Sequence, residues 1–458
     1  MGTIGLIGSV GLLIWLALRG VNIIFAALLC SLVVIVTNQL PLAVSLTEYF
    51  SFGSLGAFTF AGKFFLLFAA GAMFGRVMGD SHAASSIALA LVAKLGAART
   101  LLITTLASAA LTYGGVVVFV VIFAIYPLGL KLLQEADIPK RLFCAALALG
   151  AGTFTLTALP GTPSIHNVIS ASALDTGLFA GAGYGLFGGA LMLVLGVWYL
   201  ERQRIVAQER GEHFVAGAND RISTAQAGDP GYPHWFAATV PLAVVLITIL
   251  MPRLLVILMG DQAFEQSGWF SQLISFANSQ PILWPSIALA LGTVMACAMF
   301  VEVRSRAMTV MGHGAQDSIM PLINTAVVIG FGGVVTKTAG FQQFTGLMLD
   351  SGLPPLVSAF GSVSLVSAIT GSASGGLQIF MQTLAPAYLE MGIEPEILHR
   401  VATMAAGGFD SLPHCGAVVA MLTITGLTHK EAYRDVGIIT VVIPVVATLA
   451  TMVLVAAL

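Results

Sequence analysis

Apolar stretches recur along almost the whole chain, and the charge between them is too sparse to clothe a water-facing surface. Charged residues make up 9% of the 458, against about 25% in a soluble domain. Most of the exterior must therefore face lipid, where backbone polar groups have to be paired inside the protein; helices meet that demand. The length allows about ten to twelve passes of ~20 residues each. A net charge of −2 offers no basic surface to a nucleic acid. Cys30, Cys144, Cys297 and Cys415 lie in or beside apolar segments without CxxC spacing and read as packing residues. Met1 runs straight into an apolar span, with no basic leader or cleavage pattern.

Full spans are predicted at 4–19, 21–37, 61–77, 139–170, 179–200, 236–258, 282–300, 318–336, 395–425 and 436–457. Two other stretches, 99–130 and 354–388, each have two short arms around a Gly-rich centre: Thr112, Tyr113, Gly114, Gly115 in one, and Thr370 to Gly376 in the other. An arm of about fifteen residues rises ~22 Å, less than the ~30 Å hydrocarbon core. Each stretch is expected to be a re-entrant hairpin whose tip sits in protein or beside a water-filled cavity. Two complete but short helices per stretch is the other reading.

With the N-terminus outside, every basic residue except Lys63, Arg253, Lys337 and Arg400 falls on a predicted inner segment. The positive-inside rule then puts both termini on the outer, periplasmic or extracellular side of a bacterial-type inner (plasma) membrane. Each half runs span, span, span, polar arm, hairpin, broken span, span. The expected fold is an all-α polytopic membrane protein of two inverted repeats, about five transmembrane helices each, with a re-entrant hairpin and a broken helix in each. The first repeat is 1–200 (hairpin 99–130, broken helix 139–170), the cytoplasmic linker 201–235, and the second repeat 236–458 (hairpin 354–388, broken helix 395–425). Discontinuous helices in inverted repeats are a mark of secondary transporters, with substrate and coupling ion held where the repeats meet.

The first break contains Thr162, Pro163, Ser164, His166 and Asn167, with Pro163 suited to open a half-helix and Thr162 to cap it. The second contains Asp410, Ser411, Pro413 and His414, where Pro413 again marks a restart. Half-helix N-termini suit a carboxylate. Proline kinks with local capping are the bland alternative for each break taken alone; the matching positions favour a site. Substrate contacts are expected from Thr112, Gly114, Gly115, Thr162, Ser164, His166, Asn167, Ser372, Ser374, Gly375, Ser411 and His414. Asp410 or His414 would carry or sense the coupling ion; Asp410 could instead be an N-cap beside Pro413, and His414 a buried hydrogen-bonded ring. No Lys or Arg is placed deep in a span, and of the histidines only His166 and His414 are. A charge at mid-depth costs at least ~2.5 kcal/mol, so such residues are paired, solvated or functional. Lys63, Asp317 and Lys337 sit near span ends, where snorkelling explains them.

No HExxH, P-loop or GxSxG arrangement is present, no cofactor is implied beyond H⁺ or Na⁺, and no enzyme activity is expected. The rivals are a cation/proton antiporter without organic substrate and, further off, an integral-membrane enzyme built on His166, His414 and Asp410.

At GSASGGLQIF (from Gly371) and LHRVATMAAGGFDSLPHCGAVVAMLTITGLTHKEAYRD (from Leu398), and more weakly at ALPGTPSIHNVI (from Ala158), the chain resembles the gluconate permease family within the ion-transporter superfamily. The resemblance implies cation-coupled uptake, usually with protons, of a small hydroxylated monocarboxylate by an elevator-type homodimer. Gluconate carriers have LPPHPGP where this chain has LPGTPSIHN, a departure that points to a less hydroxylated acid such as 3-hydroxybutyrate.

Overall fold

The computed structural model describes residues 2–113, 118–162, 164–217, 220, 233–259, 268–280 and 282–457. Among them every regular element is helical. Asn22 divides the first apolar run: its side chain accepts from the Ile24 and Phe25 N–H groups and caps a new helix. The result is α1 (Gly2–Leu18) and α2 (Ile23–Thr37). A π-helical α3 (Ser45–Phe52) leads to α4 (Ala57–Asp80) and α5 (Ala83–Leu95). The first predicted hairpin, 99–130, takes in α6 (Thr100–Tyr113) and the start of α7 (Val118–Ala136), which runs past it. The first predicted broken span is α8 (Lys140–Gly152), a π-helical turn Phe154–Ala158 and α9 (Ile165–Leu174). Then comes α10 (Ala182–Glu209), which continues into the predicted linker.

The later half is also helical throughout its described residues. It runs α11 (Trp235–Met259), α12 (Trp269–Ser279), α13 (Leu283–Met299), α14 (Ala307–Asp317), α15 (Ile319–Val335) and α16 (Ala339–Leu349). The second hairpin region holds α17 (Pro355–Thr370) and α18 (Ala373–Thr383). The second broken span is α19 (Pro395–Phe409) and α20 (Gly416–Thr425), followed by α21 (His429–Gly437) and α22 (Ile443–Ala457).

Packing crosses between the halves in matched pairs. α3 lies on α15 as α14 lies on α4, and α2 on α15 as α13 on α4; α1 meets α16 as α11 meets α5, and α9 meets α18 as α7 meets α20. The outward faces are apolar: Phe25, Val36, Leu186, Trp198, Ile247 and Val453 are exposed, which water would penalise and acyl chains would not. Six helices among the described residues are long and apolar enough to cross a bilayer, or seven if α12 and α13, bent by 108°, count as one. Ten full spans were expected. At 17 and 15 residues, α1 and α2 rise only ~25 and ~22 Å, because Gly20 and Asn22 interrupt the apolar run between them.

Candidate functional site

Each break folds against the tip of the hairpin in its own half. In the first, the Tyr113 hydroxyl donates to the Pro160 carbonyl at 3.2 Å, and the Thr162 hydroxyl donates to the Tyr113 carbonyl at 3.1 Å. In the second, His414 Nε2 lies 2.9 Å from the Ala368 carbonyl, and the Gly416 N–H donates to the Gly371 carbonyl at 3.4 Å. Gly371 ends α17 at φ 59°, a left-handed conformation that suits glycine, and its turn hands the chain to the N-cap Ser372. The α9–α18 and α7–α20 contacts bring the two pairs together.

The restarts fall two to three residues later than the prolines suggested. α9 is capped by Ser164, whose oxygen accepts the Asn167 N–H at 3.3 Å; Thr162 is instead spent on the hairpin tip, and Pro163 lies outside the described residues. α20 opens at Gly416 behind Cys415, not at Pro413. Asp410 is therefore no N-cap: it is the C-cap of α19, and its Oδ1 accepts from the Ser411 hydroxyl at 3.0 Å. The backbone N–H groups of Ser411 and of Ala373, the first residue of α18, turn toward its carboxylate. A carboxyl group thus stands where hairpin and break meet.

Thr112 is buried at the end of α6 with its hydroxyl unpartnered, and so are His166 Nδ1 and His414 Nδ1. Ser372 accepts the Gly375 N–H at 3.2 Å and lies 3.5 Å from Ser374. Asn167 is fully engaged: its amide donates to the carbonyls of Thr162 (2.8 Å) and Leu178 (2.9 Å), and its Oδ1 lies 2.7 Å from His399 Nε2. Gly114 and Gly115 lie outside the described residues. Among those described, no three His, Cys, Asp or Glu side chains form a metal-holding group.

Two functional candidates escaped the sequence reading. Arg400, expected toward the outside, is fully buried in α19, and so is His399. The Arg400 guanidinium donates to the carbonyls of Ala158, Leu178 and Ala180 at 2.7–3.3 Å. His399 Nδ1 is 2.7 Å from the Thr176 hydroxyl, and Ser170 joins Thr403 at 2.8 Å. Asp317, exposed at the end of α14, pairs with Arg76. The signal was a polar set, 399, 400 and 403, on an otherwise apolar helix. Its position just after Pro395 made it look like a span end, whereas the 176–181 loop folds over it.

A polytopic helical protein with opposed breaks and tips has the architecture of a membrane transporter. The chain belongs to the GntP family permeases, whose family model matches residues 1–458. An uncharacterized transporter of Bacillus subtilis (strain 168), YxjC, is 34% identical over 468 aligned residues, covering 95% of this chain and 94% of the relative. An uncharacterized transporter of Haemophilus influenzae is 26% identical over 361, covering 76% and 74%. The crystal structure of the Alcanivorax borkumensis YdaH transporter aligns at TM-score 0.44 and 16% identity over 86% of each chain.

Proposed function

We propose that this permease carries a small hydroxylated monocarboxylate together with a proton, with Na⁺ as the second choice of coupling ion. The observation that carries the reading is the placement of a fully buried arginine and a half-buried aspartate in one broken helix. Arg400 is bonded only to carbonyls among the described residues, and Asp410 stands between the second break and the second hairpin tip. With Asp410 ionised, the two groups carry opposite charges. An arriving monoanion would leave an excess negative charge in a medium that penalises it by several kcal/mol. A proton on Asp410 removes that excess, so anion and proton bind as a neutral unit.

Ser372, Ser374, Gly375, Ser411 and His414 would face the substrate from one side. Thr112, Ser164, His166 and the Gly114–Gly115 tip would face it from the other, with Asn167 holding the first break in shape. The matched cross-packing supports two inverted repeats. The short arms α6, α17 and α18 support re-entrant hairpins, moving with the breaks as an elevator against a scaffold that includes α4 and α15. A homodimer in the inner membrane with both termini outside completes the proposal.

The test is uptake of radiolabelled gluconate and 3-hydroxybutyrate into proteoliposomes under separate proton and Na⁺ gradients. Proton-driven accumulation is expected, and no gradient-dependent uptake of any short hydroxy acid would defeat the reading. In Asp410→Asn, exchange of labelled for unlabelled acid should persist while accumulation and its pH dependence disappear. Unchanged pH dependence would remove Asp410 from the coupling role.

A further inference from the structure

Apart from the breaks and tips, the structure holds a cavity of about 770 Å³. One wall is α4 with the α14–α15 corner, through Gly79, Arg76 and Asp317; the other is α7 and α20, through Phe123 and Thr423. α7 and α20 are the helices that leave the first tip and the second break. Phe123 and Thr423 lie five and seven residues along them, or about 8 and 10 Å of helix. The cavity therefore runs from near the candidate site toward the face that carries Arg76, Lys131 and Arg306, the face expected to be cytoplasmic.

Arg76 on its wall has unused hydrogen-bonding capacity: it gives Nη1 to Asp317, but its Nε is buried without a partner. A buried unsatisfied donor costs about 1–3 kcal/mol, so the guanidinium gains from a visiting carboxylate.

We propose that this cavity is the inner vestibule of the permease and a staging site for its substrate, with Arg76 receiving the carboxylate. Asp317 competes with the substrate for the same guanidinium, so the ion pair is a charge gate. The inference rests on the monocarboxylate reading above. It does not depend on Asp410.

Opposite effects of two substitutions separate this role from mere stabilisation. With 3-hydroxybutyrate supplied from the vestibule side, Arg76→Gln should raise KM by at least about tenfold, the loss of one charge-assisted bond. Asp317→Asn should lower it. The KM measured from the opposite side should stay unchanged in both. A structural pair would instead impair both variants alike and from both sides. Independently, Gly79→Cys, where a side chain meets nothing within 4 Å, should react with a membrane-impermeant maleimide from one face only. Added 3-hydroxybutyrate should slow that reaction. Same-sign effects of the two substitutions, or no labelling from either face, overturn the vestibule while transport by the unaltered protein stands. Failure of the unaltered protein to carry any hydroxy acid overturns both readings.

Discussion

Arg400 shows why single residues were the hardest part to read. An arginine five residues into a helix that opens at Pro395 looks like a residue at the membrane edge. Its burial follows from a partner remote in sequence, the 176–181 loop, which folds over α19 and offers carbonyls that need donors. Asn167 was legible as a polar residue inside a break, but not its use as a clamp on Thr162, Leu178 and His399. Prolines fixed where the breaks occur and misled about where helices restart, since Ser164 out-competes Thr162 as cap. Removing a buried charge can be nearly neutral when no partner is stranded. Here Arg400→Leu would strand the Ala158 and Ala180 carbonyls at about 1–3 kcal/mol each, while Leu178 keeps the Gly161 and Asn167 donors. We expect its melting temperature in mild detergent to fall well below that of the unaltered protein. Arg400→Lys should lie between, because an ammonium keeps the charge but cannot reach three carbonyls with a planar fork. Equal melting of the two variants would show that the fork has no special part.

At the scale of elements the sequence was more transparent, because lipid enforces long apolar runs and the backbone announces its interruptions. The arms α6, α17 and α18 fall within the predicted stretches, α7 runs past its stretch to Ala136, and both broken spans do break. The short helices α3 and α14 went unread: each is too short or too mixed to show a span, and each is held by a span of the other half. The close approach of α18 to α17 rests on Gly376, where a Cβ would lie 2.5 Å from the Ser367 Cα. Gly376→Ala must therefore push the two arms apart, at about 1–3 kcal/mol, and should lower both thermal stability and transport. Gly361, on α17 itself, has only Met348 Sδ at 3.9 Å from such an atom. Gly361→Ala should be neutral or stabilising by up to about 1 kcal/mol, since alanine favours the helix. Comparable losses in the two variants, measured by melting and uptake, would assign the effect to helix glycines in general and not to the packed tip.

For the whole molecule, the order of spans, hairpins and breaks was readable, whereas the interlocking of the halves was not, because no local pattern specifies which distant helix a lipid-facing run will meet. The expected linker, 201–235, opens as a continuation of a helix. α10 runs through Glu209, and the following residues are strapped to the first half by Glu212 to Arg141 at 2.8 Å, His213 to Asp137 at 2.7 Å and Asp220 to Lys140 at 2.5 Å. The His213 ring and the Phe214 N–H hold the exposed Asp137 carboxyl below the usual carboxylate range. That tie stands at neutral pH and is lost as the pH falls through the lowered value. A protease site placed between Asp220 and Trp235 should therefore cut without unfolding the protein. Helices α1 to α4 bury their inner faces on α13 to α16, and the α9–α18 and α7–α20 contacts cross between the pieces as well. The two fragments should co-purify in mild detergent and keep uptake activity, while the 1–220 fragment expressed alone should be degraded, since its α4 and α5 surfaces would lack partners. Fragments that separate on size exclusion while each stays folded would mean that the halves are autonomous domains, and the cross-packed arrangement of the two halves would have to be abandoned.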